Sequence, residues 1–466
     1  MPTTTKHNHD RPELARDLGL SHAGAVVVGT IIGSGIFLVP AEMMQAVGSA
    51  RLVYLAWMVG GLLSFFGALT YAELGAMKPQ AGGEYVYVRD AYGPLAAFLY
   101  SWTTFLISKP ASIATITTGL VRILQTFSVF SFLGRPLLER QFGSHTFTIT
   151  NGQMFAVGAT ILISLLNYIG VRRAGEFQFL FTLLKVAIIV GIVVVGFSYK
   201  GGSWSNFATE FNGAKGGAVG FFAALVAALW AYDGWNDLNM VAGEIRDPQR
   251  NIPLSLIWGV ATVGALYIMV NAAVQYVLPA ASVAVSQRPA SDVVALVLGR
   301  AGAGLVSAGM AISMLVTLNG SIMSGARVPF AMARDGYFFK AIAEVHPRFR
   351  TPSVAIALQC GLAVTLLLLG GNFRQFFSLA IFAEWLFYMI TGSTIFVFRR
   401  REPLLNRPYK VWGYPVVPAL FVVVSAALLY YTFTDNVKSS AAGCLVILAG
   451  IPVFYFFQRR RSTLPK

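Results

Sequence analysis

Apolar stretches long enough to cross a hydrocarbon layer recur along almost the whole of this 466-residue chain. A spanning helix needs about 20 mostly apolar residues. Twelve such segments are predicted, at 20–41, 52–76, 95–124, 152–170, 177–198, 217–241, 254–278, 293–325, 353–370, 375–398, 415–432 and 440–458. With 56% hydrophobic and 12% charged residues, a water-soluble chain could not cover that much apolar surface. The expected fold is therefore an all-α polytopic membrane protein, with no large soluble domain. The expected division is a cytoplasmic N-terminal segment 1–19, a core of ten transmembrane helices over 20–398, a cytoplasmic loop 399–414, two accessory helices in 415–458 and a cytoplasmic tail 459–466. The polar first twenty residues do not look like a cleavable signal peptide, which would place an apolar core there.

The net charge of +15 raises the question of nucleic acid, and the positions of the charges answer it. Most of the 35 Lys and Arg residues fall on one side when the N-terminus and every second loop are assigned to it, among them Lys78, Arg89, Arg172, Arg173, Arg246, Arg250, Arg327, Arg334 and Arg399 to Arg401. This is the positive-inside pattern, so both termini are expected in the cytoplasm and no nucleic-acid partner is expected. Cys360 and Cys444 sit inside apolar segments, which leaves no extracellular disulfide. The five histidines, His7, His9, His22, His145 and His346, lie outside the span interiors or at their edges, never at metal-ligand spacing. No metal and no cofactor is expected.

Within the first segment, Gly29-Thr30-Ile31-Ile32-Gly33-Ser34-Gly35-Ile36-Phe37 is a poor place for an unbroken helix, since each interior glycine costs roughly 1 kcal/mol against alanine. An unwound turn here would open a second half-helix whose first amides suit a carboxylate or another small anion. The alternative is that Gly29-x-x-x-Gly33 is a small-residue packing stripe. After the second segment, 78–89 reads as a short helix at the membrane face, with Tyr85 and Tyr87 at the interface. In the third segment, Pro110 should kink the helix. Lys109 beside it must be paired or facing water. Loop 125–151 reads as an ordinary connector.

The sharpest single residue is Lys185, the only charge between Phe177 and Phe197 and too deep to snorkel to either surface. It must contact carbonyls of an unwound partner helix, pair with a carboxylate or lose its proton, and each outcome places it at a functional centre. The sixth segment is interrupted at Trp230-Ala231-Tyr232-Asp233-Gly234-Trp235-Asn236-Asp237, where Asp233 and Asp237 are either site residues or helix caps. For Asp237 the cap is a ready role. Two interrupted helices five segments apart match an inverted repeat with a site at the membrane midplane. The eighth segment carries a polar stripe, Ser313, Thr317, Ser321 and Ser324 with Asn319-Gly320, fit either for an ion or for helix packing. The tenth carries Glu384-Trp385, a buried glutamate in need of a partner.

These stretches, together with Trp102 through Lys109-Pro110 and Glu244 through Asn251-Ile252-Pro253, resemble the L-type amino acid transporter branch of the amino acid-polyamine-organocation superfamily, in order and over essentially the whole chain. The resemblance implies a five-plus-five inverted repeat of the leucine-transporter type plus two C-terminal helices. It implies that a substrate carboxylate meets the amides of Gly33, Ser34 and Gly35, that its ammonium meets carbonyls near Ile31 and around Trp230 to Asp233, and that Trp230 acts as a gate. Lys185 stands where sodium-coupled relatives hold a sodium ion, which points to sodium-independent exchange. Asn236 matches a position implicated in substrate handling. The candidate substrate-binding set is thus Ile31, Gly33, Ser34, Gly35, Trp230, Tyr232, Asp233, Gly234 and Asn236, with Lys185, Trp230 and Trp385 as coupling or gating residues.

Neutral-preferring relatives often carry glycine or serine where this chain has Asp233, whereas aspartate occurs both in relatives handling cationic substrates and in bacterial relatives similar to small-neutral exchangers. Animal members join a glycoprotein partner through a cysteine between the third and fourth spans. Loop 125–151 has no cysteine, so the chain is expected to work without a disulfide-linked heavy subunit, in a bacterial inner membrane, with a homodimer left open. The leading expectation is a sodium-independent exchanger of small neutral amino acids. The alternatives are a proton-coupled symporter in which Lys185, Asp233 or Glu384 titrates, and an exchanger accepting cationic amino acids through Asp233. A membrane enzyme would need a nucleophile-base or metal constellation that the sequence lacks, and a transport-inactive sensor would be expected to carry a signalling domain.

Overall fold

The computed structural model describes residues 13–142, 145–369, 373–435 and 437–462. Much of the predicted N-terminal segment, with His7 and His9, and the end of the predicted tail lie outside the described residues. The chain runs through α1 (Leu20–Ile31), α2 (Gly35–Val47), α3 (Ala50–Met77), α4 (Glu84–Tyr92), α5 (Pro94–Thr103), α6 (Lys109–Leu124), α7 (Asn151–Tyr168), α8 (Val171–Ser198) and α9 (Gly217–Ala231). It continues through α10 (Asp237–Met240), α11 (Pro248–Val277), α12 (Ala280–Val285), α13 (Pro289–Gly325), α14 (Arg327–Arg334), α15 (Ser353–Leu369), α16 (Phe373–Arg401), α17 (Val416–Asp435) and α18 (Val437–Ser462). Among the described residues, seven helical stretches are long and apolar enough to cross a membrane: Leu20–Val47, Ala50–Met77, Val171–Ser198, Pro248–Val277, Pro289–Arg334, Val416–Thr434 and Ser440–Arg461. Gly217–Ala231 and Ser353–Leu369 are shorter apolar helices.

The interrupted first segment sits at the centre of the bundle, where α1 packs on α8, α11 and α13 while α2 packs on α9. α8 shows how the surrounding helices divide their faces. Gln178, Thr182, Lys185, Ile189 and Ile192 point inward, whereas Leu180, Leu183, Leu184, Val190 and Val194 are exposed on the outside. Within the apolar part of this helix the polar side chains Gln178, Thr182 and Lys185 face the protein and the outward face is apolar, as a lipid-facing helix requires.

Two expectations change. The all-α description is amended by an antiparallel hairpin, β1 (Pro136–Phe142) and β2 (His145–Thr150), in the loop read as a plain connector. The β-branched run Thr148-Ile149-Thr150 favours the strand. α7 then starts on a capping box, in which Thr150 Oγ1 accepts from the Gln153 amide at 3.1 Å and the Gln153 side chain accepts from the Thr150 amide at 2.7 Å. The predicted short helix after the second segment exists as α4, but Tyr85 and Tyr87 are buried in the protein instead of lying at a membrane face. The Gly82 amide donates to Met240 O at 2.8 Å, which ties the start of α4 to the end of α10, and α4 packs on α5, α14 and α16. Tyr85 then donates to Asp335 at 2.9 Å and Tyr87 accepts from Asn239 at 3.0 Å. Beyond its break the sixth segment continues as the four residues of α10, which end at Met240 beside the predicted end at 241.

On the basic side, charged groups tie the loops together. Arg327 and Glu244 are fully buried and form two parallel bonds of 2.7 and 2.9 Å, while Arg327 also donates to Met323 O at 2.6 Å. The Glu244 carbonyl accepts from the Leu18 amide at 3.0 Å, and the Arg246 amide donates back to Leu18 O at 2.8 Å. Lys78 and Arg89 hold Asp90 at 2.9 and 2.8 Å. Burial pushes the Asp90 carboxyl up, yet the bonds from Arg89 and Lys78 outweigh it and hold the group below the usual carboxylate range.

Removing one partner of a buried ion pair leaves an uncompensated charge, at a cost of about 3–5 kcal/mol. Arg327→Met should therefore lower the thermal unfolding midpoint of the purified protein in detergent by several degrees. The double variant Arg327→Met with Glu244→Leu should recover part of that loss, and equal losses in single and double variants would contradict the charge argument.

Candidate functional site

The first break lies between α1 and α2. Ile32 leaves helical geometry at ψ 87°, and the Gly33 amide closes a tight turn on Ile31 O at 2.8 Å. The second break follows α9, where Gly234 adopts φ +104°, a region that glycine enters without strain. The two breaks touch. Thr30 Oγ1 donates to Gly234 O at 2.8 Å, and a Cβ on Gly35 would stand 2.9 Å from the Ala231 backbone. Both readings of the glycine-rich stretch apply, to different residues. A Cβ on Gly29 would fall 2.4 Å from Gln178 and Thr182, so this glycine serves packing, whereas the unwound turn is Ile32 to Ser34 and Gly35 opens α2.

Lys185 resolves as the first of its three options. Its Nζ donates to Gly29 O at 2.8 Å, Ile32 O at 2.6 Å and Ser313 O at 3.2 Å, with the side chain buried. The polar stripe of α13 serves the same turn, since Ser313 Oγ donates to Ile32 O at 2.9 Å and Thr317 Oγ1 lies 3.2 Å from both Gly29 O and Ile32 O.

Beside the breaks lies a cavity of about 100 Å³. Of the predicted set, Ile31, Gly33, Ser34, Gly35, Trp230, Asp233, Gly234 and Asn236 line it. Tyr232 turns away, packing its ring against Trp57 and Tyr267 with centroids 5.7 and 5.1 Å apart. Lys185 stands behind the turn without lining the cavity, and Trp385 packs edge-on against Tyr388 at 5.5 Å. The remaining wall is charged. Lys109, which follows a π-helical turn at Thr104–Ser108, forms a buried ion pair with Asp237, so Asp237 is a partner for Lys109 and makes no side-chain cap for α10. Glu384 lines the cavity beside Lys109. Asp233 accepts from the Tyr388 hydroxyl at 2.6 Å, and that hydroxyl also lies 2.9 Å from Asn236 Oδ1.

A smaller annex of about 20 Å³ shares Lys109, Asn236, Glu384 and Tyr388 with the main cavity and adds Glu84 and Tyr100. Glu84 accepts from the Tyr71 hydroxyl at 2.8 Å, from Asn236 at 3.3 Å and from Tyr100. Glu84 and Tyr388 were not in the predicted set. Tyr388 follows Glu384 by one helical turn, a spacing that puts the two on one face; Glu84 carried no such signal.

The arrangement supplies both signs of partner within one small space. The amides opening α2 are orphan donors at the positive end of a half-helix. The carbonyls closing α1 and α9 lie at negative ends, where Ile31 O accepts from the Gly33 amide and Trp230 O from the Asp233 amide, each keeping a second lone pair. A small zwitterion satisfies both.

The chain matches the family model of amino acid permeases over residues 18–457. It is 32% identical over 453 residues to the serine/threonine exchanger SteT of Bacillus subtilis (strain 168), covering 97% of this chain and 98% of that protein. It is 33% identical over 449 residues to the b(0,+)-type amino acid transporter 1 of Homo sapiens, covering 95% and 88%. To the Asc-type amino acid transporter 1 of Mus musculus it is 30% identical over 454 residues, covering 96% and 82%.

The Lys185 contacts generate a stability prediction. Lys185→Met keeps most of the side-chain volume and removes the ammonium donors from the turn, leaving Gly29 O, Ile32 O and Ser313 O to share the Ser313 and Thr317 hydroxyls, at about 1–3 kcal/mol in total. The variant should unfold at a lower temperature than the wild type in detergent, and an unchanged midpoint would contradict the assigned contacts.

Proposed function

The chain belongs to the amino acid permease family, in the L-type amino acid transporter branch of the amino acid-polyamine-organocation superfamily, and from that premise we propose that it is a sodium-independent exchanger of small neutral amino acids. The family is one of transporters and not of enzymes. The observation that carries the proposal is the cavity in which the amino end of α2 and the carboxyl ends of α1 and α9 converge. In this proposal the amides of Ser34 and Gly35, where α2 opens, take the substrate carboxylate, while Gly33 lies beside them with its amide on Ile31 O. Carbonyls at Ile31 and from Trp230 to Asp233 take its ammonium, and Trp230 gates the cavity. The Lys185 ammonium occupies the elbow of the first break, where its charge removes the need for a coupling cation. Similarity to a serine/threonine exchanger along nearly the full length supports the substrate class.

The same proposal takes the helices as twelve spans in a five-plus-five inverted repeat with two further helices, both termini in the cytoplasm of a bacterial inner membrane. It also has the chain acting without a disulfide-linked subunit, since loop 125–151 contains no cysteine. A second reading, acceptance of cationic amino acids, is favoured by Asp233 and Glu384, the carboxyl residues of the cavity wall that remain beside the Lys109–Asp237 pair.

The purified protein, reconstituted in liposomes preloaded with unlabelled serine, alanine, leucine, arginine or nothing, tests the proposal through entry of the matching labelled amino acid in the absence of sodium. Entry of serine or alanine only into loaded vesicles, indifferent to sodium and pH gradients, is the expected outcome. Accumulation in empty vesicles that requires a proton gradient would overturn exchange in favour of proton coupling. Under the second reading arginine also exchanges, and Asp233→Asn abolishes arginine exchange while serine exchange persists.

A further inference from the structure

α14 ends at Arg334, and Gly336, at φ +79°, turns the chain toward the end of α18. Three aromatic residues follow. Tyr337 and Phe338 are buried, whereas Phe339 is 55% exposed. The Tyr337 ring stacks on Phe454 at 5.4 Å, and the rings of Phe338 and Phe339 lie 5.3 and 5.1 Å from that of Phe457. The turn is therefore docked on the last apolar residues of α18. Phe339 lies at the depth of Phe457, within the stretch Ser440–Arg461 that is apolar enough to cross a membrane. An open phenyl ring at that depth faces acyl chains.

Charge begins one helical turn further along. Arg460 and Arg461 follow Phe457 by three and four residues, a rise of about 4.5 to 6 Å along the axis. The Arg461 guanidinium lies over Tyr337 at 4.7 Å and that of Arg460 over Phe456 at 4.6 Å, while Lys340 is exposed next to Phe339. Arg334 and Arg459 add two exposed cations on the same segments. Over 334–344 and 455–461 five cations stand against two carboxylates, Asp335 and Glu344. Asp335 is already held by Arg89 at 2.7 Å and Tyr85 at 2.9 Å. Orienting a helix across a membrane needs such charge but no open ring beneath it.

We propose that this corner, made by the turn after α14 and the end of α18, is a binding site for one anionic phospholipid of the adjoining leaflet. An acyl chain lies on Phe339 and Phe456. The phosphate takes the Lys340 ammonium and the guanidiniums of Arg460 and Arg461, whose fork of donors matches its oxygens. A bound lipid then fastens α18 to the turn that Asp335 ties to α4. None of these residues lines the central cavity or its annex, so the site stands independently of the amino acid reading.

Native mass spectrometry of the purified full-length protein in detergent, titrated with phosphatidylglycerol, phosphatidylcholine or glycerol phosphate, counts bound molecules and gives an affinity for each. The expected result is a first phosphatidylglycerol bound at least about tenfold more tightly than phosphatidylcholine. The triple variant Lys340→Gln, Arg460→Gln, Arg461→Gln should weaken phosphatidylglycerol by about a hundredfold, about fivefold for each cation removed, and leave phosphatidylcholine within about twofold. Phe339→Ser should weaken both lipids by a similar factor, since it removes a contact with the chain. Equal wild-type affinities for the two lipids would overturn the proposal. So would an equal loss in Arg172→Gln, Arg173→Gln, Arg348→Gln, three exposed cations elsewhere on the basic side, because charge spread over the whole face would act that way. Glycerol phosphate bound as tightly as phosphatidylglycerol, or Phe339→Ser without effect, would overturn it in favour of a site for a free anion. Should the triple variant fail to fold, judged by its thermal unfolding, Lys340→Gln alone decides: a loss of about fivefold supports the site and an unchanged affinity overturns it.

Discussion

The contact on which the centre of the molecule depends is the Lys185 ammonium in the elbow of the first break. An unwound turn inside an apolar bundle strands carbonyls that no water can reach, and each must be met by the protein. Lys185 meets Gly29 O and Ile32 O from α8 and reaches Ser313 O on α13. Ser313 and Thr317 add hydroxyl donors to the same turn. The positive charge and the stranded dipoles solve each other's problem: a lysine at that depth needs acceptors, and the turn needs donors. Because α8 and α13 hold the turn open, the direction of α2, and with it the aim of its first amides, follows from where those two helices stand.

The charged wall of the cavity follows a second balance. Lys109 is paired with Asp237, which leaves Asp233 and Glu384 to be accommodated by neutral donors and by the field of that pair. Tyr388 supplies one such donor to Asp233, and the buried Glu84 beyond it is surrounded by Tyr71, Tyr100 and Asn236. Carboxyl groups therefore outnumber lysines around the cavity. A cationic group entering it improves the balance, and a second anion worsens it, which gives the bound end of a zwitterion a preferred orientation before any shape is considered.

How much of this was legible in the sequence depends on how few solutions each residue had. Lys185 and the two glycine-marked interruptions were readable because a deep charge or a broken helix in hydrocarbon has only a handful of remedies. The partner of Lys109 was not readable, since Asp237 is 128 positions away and the pairing depends on the π-helical turn that rotates Lys109 toward it. Tyr85 and Tyr87 were misplaced because an interfacial tyrosine and a buried one that hydrogen-bonds look alike in composition; the packing of α4 on α5, α14 and α16 separates them. The hairpin of β1 and β2 was missed because the alternation in Thr146-Phe147-Thr148-Ile149-Thr150 is short and stands beside much longer apolar segments. Tyr267 gave no signal at all, being one aromatic in an apolar helix, and its hydroxyl meets Ile31 O and Ala231 O only once two distant helix ends are brought together.

The two interrupted helices are joined at more than their breaks. At mid-depth Thr30 donates to Gly234 O and Tyr267 spans Ile31 and Ala231. At the basic side Leu18, just before α1, exchanges two backbone bonds with Glu244 and Arg246, just after α10. The α1 half and the α10 half are therefore tied at both ends and belong to one mechanical unit. α10 is in turn fastened to α6 by the Lys109–Asp237 pair, while the following turn is fastened to α14 by Glu244–Arg327. Breaking either buried pair by separation would strand a charge at a cost of several kcal/mol. A rearrangement that opens the basic side at low cost must keep these pairs intact, so it carries α1 and α10 together with the ends of α6 and α14. The sliding surfaces are then those made by apolar and small side chains alone, where contacts can exchange without stranding a charge or a hydrogen bond.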